Sequence, residues 1–433
     1  MPLINHAGGG SSFAAIIQVT YNAGATCTCS NGSKTLTAPD TSGSATFIVK
    51  SKGTWTITTI LGSRSKTANV IITTDGQVET AEVFVAKIYG ISRDITKSSP
   101  VWARTDDAVG FTATASVGTV AGSSSFDSCM PWSGIQRETI TAPLSVDVMV
   151  KIPRFWYRRY REGNVEYIKI ADREVDGFTL HPAFNHAGVE KDSVYVGAYM
   201  SAVSSHGPSG RYPSDTRADA KKKGAGWGLL DLSTLSAIQM LILVEFATND
   251  VQSAIGAGYA AARYSSTASS GGSDDVPNLT GCLEDYGQVV WRGIEDVWGN
   301  AREWIDGCIY VGGEYYVDNN PANYGKSYTA FTKLNYSITP SYSDNQYITR
   351  VGLDARYPHI MLPTTYSNGS SSTYYCDAVT ASKNRGELLY AQGGAFDDTS
   401  GYVGLFFAHF QSTDEGSSYG DSRAGSRLLY IPQ

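Results

Sequence analysis

The residues of this chain that could perform covalent or metal chemistry are few and badly spaced for it. His181 and His186 stand in the run His-Pro-Ala-Phe-Asn-His, with Glu190 and Asp192 following, a set of ligand types that would suit a divalent metal. An i,i+5 spacing does not bring two imidazoles to one helical face, and Pro182 opposes a helix, so structural roles are expected there. His206 and His359 also fall in loop-like stretches. The cysteines, at 27, 29, 129, 282, 308 and 376, form no Cys-x-x-Cys pair and no histidine-flanked zinc spacing. Cys27 and Cys29 alternate onto one face of a strand, but further ligands are missing nearby, and buried free thiols are the expected state. No Gly-x-Ser-x-Gly, His-Glu-x-x-His or phosphate loop occurs. Catalytic residues, metal ligands and cofactors are therefore not expected, and neither is an enzyme. Recognition is the chemistry left, and the 27 Tyr, 14 Phe, 8 Trp and 45 Gly suit it. Stiff amphipathic rings give contact area at low entropic cost, while small polar neighbours supply hydrogen bonds.

Such residues concentrate after Gly312 and above all after Gly393. Reading Leu405 to Gln411 as a strand turns Phe406, Ala408 and Phe410 to one face and Phe407, His409 and Gln411 to the other. The first set suits a core and the second an exposed surface. Neighbouring loops add Phe396, Asp397, Asp398, Tyr402, Thr413, Asp414, Glu415, Tyr419 and Asp421. Aromatic anchors ringed by short polar acceptors can hold a protein epitope or stack on a sugar.

Four segments must position these residues. Residues 1–12 read as a flexible arm. Residues 13–87 alternate short β-branched runs with turns at Asn31-Gly32 and Asp75-Gly76, and Thr54-Trp55-Thr56-Ile57-Thr58 shows the period of two that predicts an antiparallel sandwich of Ig-like type. Residues 88–145 are Gly/Ser-rich and read as an irregular connector, and 146–433 as the binding domain. Within the latter, helices are expected from Ser214 to Lys223 and from a cap at Ser233 through Phe246, and 263–280 and 312–386 read as long polar loops. The predicted class is α+β. The formal charge of −7 leaves no general basic field, and the basic runs, Arg154 to Arg161 and Lys221 to Lys223, read as solvated or ion-paired faces, so nucleic acid is not an expected partner. The first residues show no export signal, and the longest apolar run, Ile238 to Phe246, is far shorter than the roughly 20 residues of a membrane span, so no membrane insertion is expected.

The run Trp291 to Trp304, with Trp298, Gly299, Asn300, Glu303 and Trp304, resembles the Trp-Gly-Asn-Val-Trp-Glu-Trp strand of C-type-lectin-like proteins that share the formylglycine-generating, or sulfatase-modifying, fold. Gly393, Gly394 and the stretch through Gly404-Leu405-Phe406 to Gly425-Ser426-Arg427-Leu428 are similar to the end of that fold. There it carries the variable binding face of phage tropism determinants and other targets of diversity-generating retroelements. The stretches at 151–159, 168–178, 241–247 and 24–38 likewise resemble phage and prophage tail proteins. The resemblance implies a receptor-binding protein of a phage tail, assembled in the bacterial host cytoplasm, commonly as a trimer, with a variable-type segment at about 393–427. Its expected partners are a host-surface protein or glycan and other tail proteins. A purely structural tail or baseplate component is the alternative. The sequence departs from the family at several points. No cysteine occurs from Asp377 to Gln433, which the family's enzymes would need, and Asn319-Asn320-Pro321 matches no calcium-lectin motif. The stretch between Phe410 and Arg427 is also longer than the common form.

Overall fold

The computed structural model describes residues 13–118, 120–143, 145–201, 213–260, 267–277, 279–282, 287–340, 345–381, 386–412 and 423–433. The protein is mostly β-sheet, 45% strand against 12% helix, which accords with an all-β or α+β class. It divides into two compact units, one ending at Lys87 and the other running from Ile88 to Gln433.

In the first unit, alternation decides the strands. Gly53–Leu61 buries Trp55, Ile57 and Thr59 and leaves the residues between them at least partly exposed, as a half-buried strand should. One sheet has the order Ser44–Val49, Ala15–Thr20, Val78–Glu82, and the other Thr35–Thr37, Thr26–Ser30, Gly53–Leu61, Arg64–Ile72. Both line one apolar core that includes Ile17, Phe47, Cys27, Trp55 and Ile72. The antiparallel expectation needs one correction, because Ala15–Thr20 pairs parallel with Val78–Glu82. At the Asn31-Gly32 turn, the Asn31 side chain accepts from the amides of Ser33 and Lys34 at 3.1 and 2.8 Å, and Gly32 supplies the positive φ of 84°.

The second unit is organised around a helix, Leu232–Phe246, whose residues from Leu232 to Glu245 are all buried. The sequence predicted an apolar stripe with Ser233 as cap. The helix is instead buried all round, and Asp231 caps it, accepting from the Thr234 amide at 2.8 Å. Its buried polar side chains are satisfied individually. Gln239 donates to the Leu405 carbonyl at 3.0 Å, and Glu245 accepts from the Trp291 indole at 3.0 Å and from Arg292 at 2.6 Å. Arg104 donates to the last carbonyls, Val244 at 2.6 Å and Glu245 at 2.5 Å. The other predicted helix is Pro213–Lys222.

The sheets that flank the long helix include the stretch expected as a connector. Ile88–Asp94 pairs residue for residue with Val165–Ala171, and Trp102, Phe126 and Trp132 are buried in the main core. Glycine and serine between these anchors made 88–145 look irregular, whereas the anchors themselves are core residues. The polar stretch 312–386 likewise carries five strands, Glu314–Val317, Thr332–Ser337, Gln346–Val351, Pro363–Tyr366 and Ala378–Ala381, in a nine-stranded sheet. That sheet runs Arg302–Val311, Leu388–Gln392, Ala408–Ser412, Ala378–Ala381 through its middle. The last strand, Arg427–Tyr430, returns to lie between Ser193–Met200 and Trp227–Leu229 in a separate five-stranded sheet.

Candidate functional site

The predicted face is held by the Trp298 to Trp304 run. Trp298 is buried in the main core, its indole donating to the Gly256 carbonyl at 3.0 Å, while Trp304 packs with Ala391 and Ala424 in a separate small cluster. The two rings anchor different cores, as their spacing across the turn suggests. Gly299 has φ 83°, and a Cβ there would stand 2.7 Å from the Tyr259 nitrogen. Asn300, also at positive φ (63°), is fully buried and donates to Asp296 at 2.8 Å. Burial pushes the Asp296 carboxyl up to about 7 against the pull of its Asn300 and Gln288 hydrogen bonds. Backbone bonds tie this turn to the C-terminal segment: the Gly299 amide donates to Gly393 at 2.9 Å, and the Phe396 amide to Asn300 at 2.9 Å.

Two adjacent residues of the next strand grip that segment at its two ends. Arg302 makes a bidentate contact with Asp398, at 2.7 and 3.2 Å, and the Asp398 carboxylate also accepts from the Ala395 amide at 2.8 Å. Glu303 receives Arg427, whose Nε donates at 2.7 Å and whose other nitrogens reach the carbonyls of Gly197, Glu295 and Asp296. All four side chains are buried. Ala424–Gly425 completes the grip by pairing parallel with Arg302 and Glu303. Planar guanidinium forks suit this task because they satisfy a carboxylate in two bonds and have donors left for carbonyls.

Several predicted contact residues serve as supports. Phe396, Asp398 and Phe407 are buried, Phe407 completely, with Arg302 placed 5.9 Å from its ring. The strand begins at Ala408, and Gly404 to Phe407 is a turn closed by the Phe407 amide on the Gly404 carbonyl at 3.2 Å, so strand alternation does not apply to Phe406 and Phe407. Asp377 fixes this turn by accepting the Phe406 amide at 2.7 Å, and burial raises its carboxyl well above the usual range. Asp397 is exposed, with Arg423 at 3.9 Å. Tyr402, His409 and Gln411 are half-buried, and Tyr402 packs on Tyr347 with ring centroids 5.1 Å apart. Thr413, Asp414, Glu415, Tyr419 and Asp421 lie outside the described residues. Gly394, at φ 83°, admits no side chain, since a Cβ would meet Val403 at 2.5 Å.

Next to this face lies a cleft of about 170 Å³ at a bulge between Ile305 and Ile309. Leu389, the cross-strand partner of Gln411, lines it together with Lys326 and Glu387. So do Arg217 and Asp306, joined by bonds of 3.0 and 2.9 Å. The sequence reading missed Arg302, Asp377, Tyr347 and Arg423. For Arg302 the signal was present: charge beside Glu303 in an otherwise buried-type strand requires buried partners.

Of the histidines of the metal-like run, His186 sits on the hairpin Asn185–His186 and Val189–Glu190 and His181 in the core beside His359. His181 and His359 rings approach to 5.5 Å, His181 accepts the Ala183 amide at 3.2 Å, and burial lowers both, His359 to about 3 and His181 well below its ordinary value. Among the described residues no group of three or more His, Cys, Asp or Glu comes together as a metal site, all six cysteines are free, and no helix is long and apolar enough to cross a membrane. The arrangement offers rings, an imidazole, an amide and a carboxylate on a rigid support, which is equipment for non-covalent binding. No protein-family model matches the chain, and no curated protein is significantly similar to it in sequence.

Proposed function

We propose that this chain is a receptor-binding protein of a bacteriophage tail, in which an Ig-like sandwich mounts a C-type-lectin-like unit that attaches the virion to a host-surface protein or glycan. The observation that carries the reading is the double grip of Arg302 on Asp398 and of Glu303 on Arg427. It fixes both ends of the 393–427 segment in the core and leaves Asp397, Tyr402, His409 and Gln411 at least partly accessible between them. Contact residues placed this way can change without disturbing the support, which is what a diversified attachment surface needs. Repetition of the chain at a tail tip, as a homotrimer beside other tail proteins, multiplies modest single-site affinity.

The test is host-cell binding by the purified chain. Replacing Asp397, Tyr402, His409 and Gln411 together by Ala is expected to lower cell binding at least tenfold while leaving the thermal midpoint within a few degrees. Undiminished binding by that variant would refute the assignment of the face. Failure of the unmodified chain to bind cells, with its virion assembly intact, would make it a structural tail component instead.

A further inference from the structure

The second unit holds another cavity, of about 440 Å³, to which none of the described contact residues predicted from the sequence contributes. It is walled by the hairpin of Asn185–His186 and Val189–Glu190, the edge strand Trp227–Leu229, the turn at Pro321 and the end of the chain. Its volume falls within the range of small-molecule sites, and its walls are mainly apolar, with Leu229, Pro321 and Ile431 among them. Two polar groups decide what it can hold.

The first is His186, only 7% exposed, whose Nε2 lies 2.9 Å from the Ala183 carbonyl. A carbonyl oxygen can only accept, so Nε2 carries the hydrogen, and in the neutral ring Nδ1 is a bare acceptor. Among the described residues that buried Nδ1 has no hydrogen-bond partner. An unmade bond at a buried acceptor is a standing cost, and a ligand hydroxyl would recover it. The second is Lys191, whose backbone is fixed by its amide on the Phe184 carbonyl at 2.8 Å and whose side chain makes no ion pair among the described residues. Among the described residues no aspartate or glutamate lines the cavity, although the chain has 41 of them. The other clefts differ on this point: Arg217 is paired with Asp306 in one, and Lys223 with Asp147 in a second of about 430 Å³.

We propose that this cavity is a binding site for an acidic sugar residue, with the carboxylate on Lys191, a hydroxyl donating to His186 Nδ1, and the C–H face of the ring against Leu229, Pro321 and Ile431. An aliphatic carboxylate would leave Nδ1 unsatisfied, and an inorganic anion would leave the apolar wall bare. The site does not depend on the attachment reading, because its ligand is tested without cells.

Titration of the full chain with N-acetylneuraminic acid and glucuronic acid, with glucose and octanoate as comparisons, tests it. At least one acidic sugar is expected to bind, with glucose and octanoate at least tenfold weaker. Lys191→Ala is expected to weaken the acid at least tenfold. Ala322→Trp, at an exposed lining position, should abolish binding without lowering the thermal midpoint. No binding by either acid, equal binding by glucose or octanoate, or indifference to both substitutions would overturn the proposal. Host-cell binding retained by Ala322→Trp would show that the attachment face works without this cavity.

Discussion

In residues 13–87 the buried residues are aliphatic, aromatic or thiol, and Thr59, which donates to the Val83 carbonyl at 2.6 Å, is the one buried polar residue among those described. In residues 88–433 the interior contains Arg159, Glu166, Glu245, Asp296, Arg302, Glu303, Asp377 and Arg427, together with three histidines, of which burial holds His181 and His359 neutral. The difference follows what each interior must hold. A sandwich of paired strands satisfies its backbone through ladders, so apolar side chains suffice. The second unit buries turns such as Gly404 to Phe407 and Asp296 to Asn300, in which backbone pairing does not serve every group, and charged side chains bond to the Phe406 amide and the Asp296 carbonyl. One interior thereby holds no carboxylate or imidazole to titrate in acid, while the other is built from groups that titrate or cannot lose a partner.

Three measurements probe that contrast. The largest effect is expected from Arg427→Met, which leaves Glu303 buried without its cation and strips bonds from three carbonyls. The second unit should lose roughly 3–5 kcal/mol. Trp55 is the only tryptophan of the first unit, so urea unfolding followed by fluorescence in a Trp55→Phe background reports the second unit, and an unchanged midpoint would dissolve the contrast. Next comes acid. His181 and His359 are held neutral, with pKa values below the ordinary one of about 6.5, so the unfolded chain binds more protons as pH falls. Their contribution is complete above about pH 6.5 and is lost toward pH 3, at up to about 1.4 kcal/mol per pH unit for each ring. Residues 13–87 contain no histidine, and the Trp55 signal should stay nearly level from pH 6.5 to 5. The smallest effect runs in the opposite direction. Asp296, raised from about 3.8 to about 7, contributes fully below about pH 4 and loses that contribution as pH rises from 4 to 7. The gain of Asp296→Asn over the unmodified chain should therefore be about 2–3 kcal/mol larger at pH 8 than at pH 5.

The same contrast explains how much was readable in the sequence. The alternation at Trp55 and Ile57 is a local signal, and the strand appeared where it pointed. The apolar run before Phe246 gave the long helix, but its cap was misplaced because Ser233 and Asp231 are equally acceptable by type, and only the helix start chooses between them. In the candidate site the run from Trp298 to Trp304 was legible as a motif. Phe396, Asp398 and Phe407 were not legible as supports, because their burial depends on Arg302 and on a turn fixed by Asp377, partners remote in sequence. Trp102, Phe126 and Trp132 were hidden among glycines and serines for the same reason.

Arg302 and Glu303 are neighbours, so Asp398 and Arg427 are tied to the core side by side, while the chain between them passes through it at the Gly404–Phe407 turn and the Ala408–Ser412 strand. Loop-closure entropy grows only as the logarithm of length, at about 0.6 kcal/mol for each doubling. Residues inserted beyond the strand Ala408–Ser412 and before Arg423 would thus change the reach of the segment at little cost to the body that carries it. Side-by-side anchors thus separate what supports the segment from how long it is.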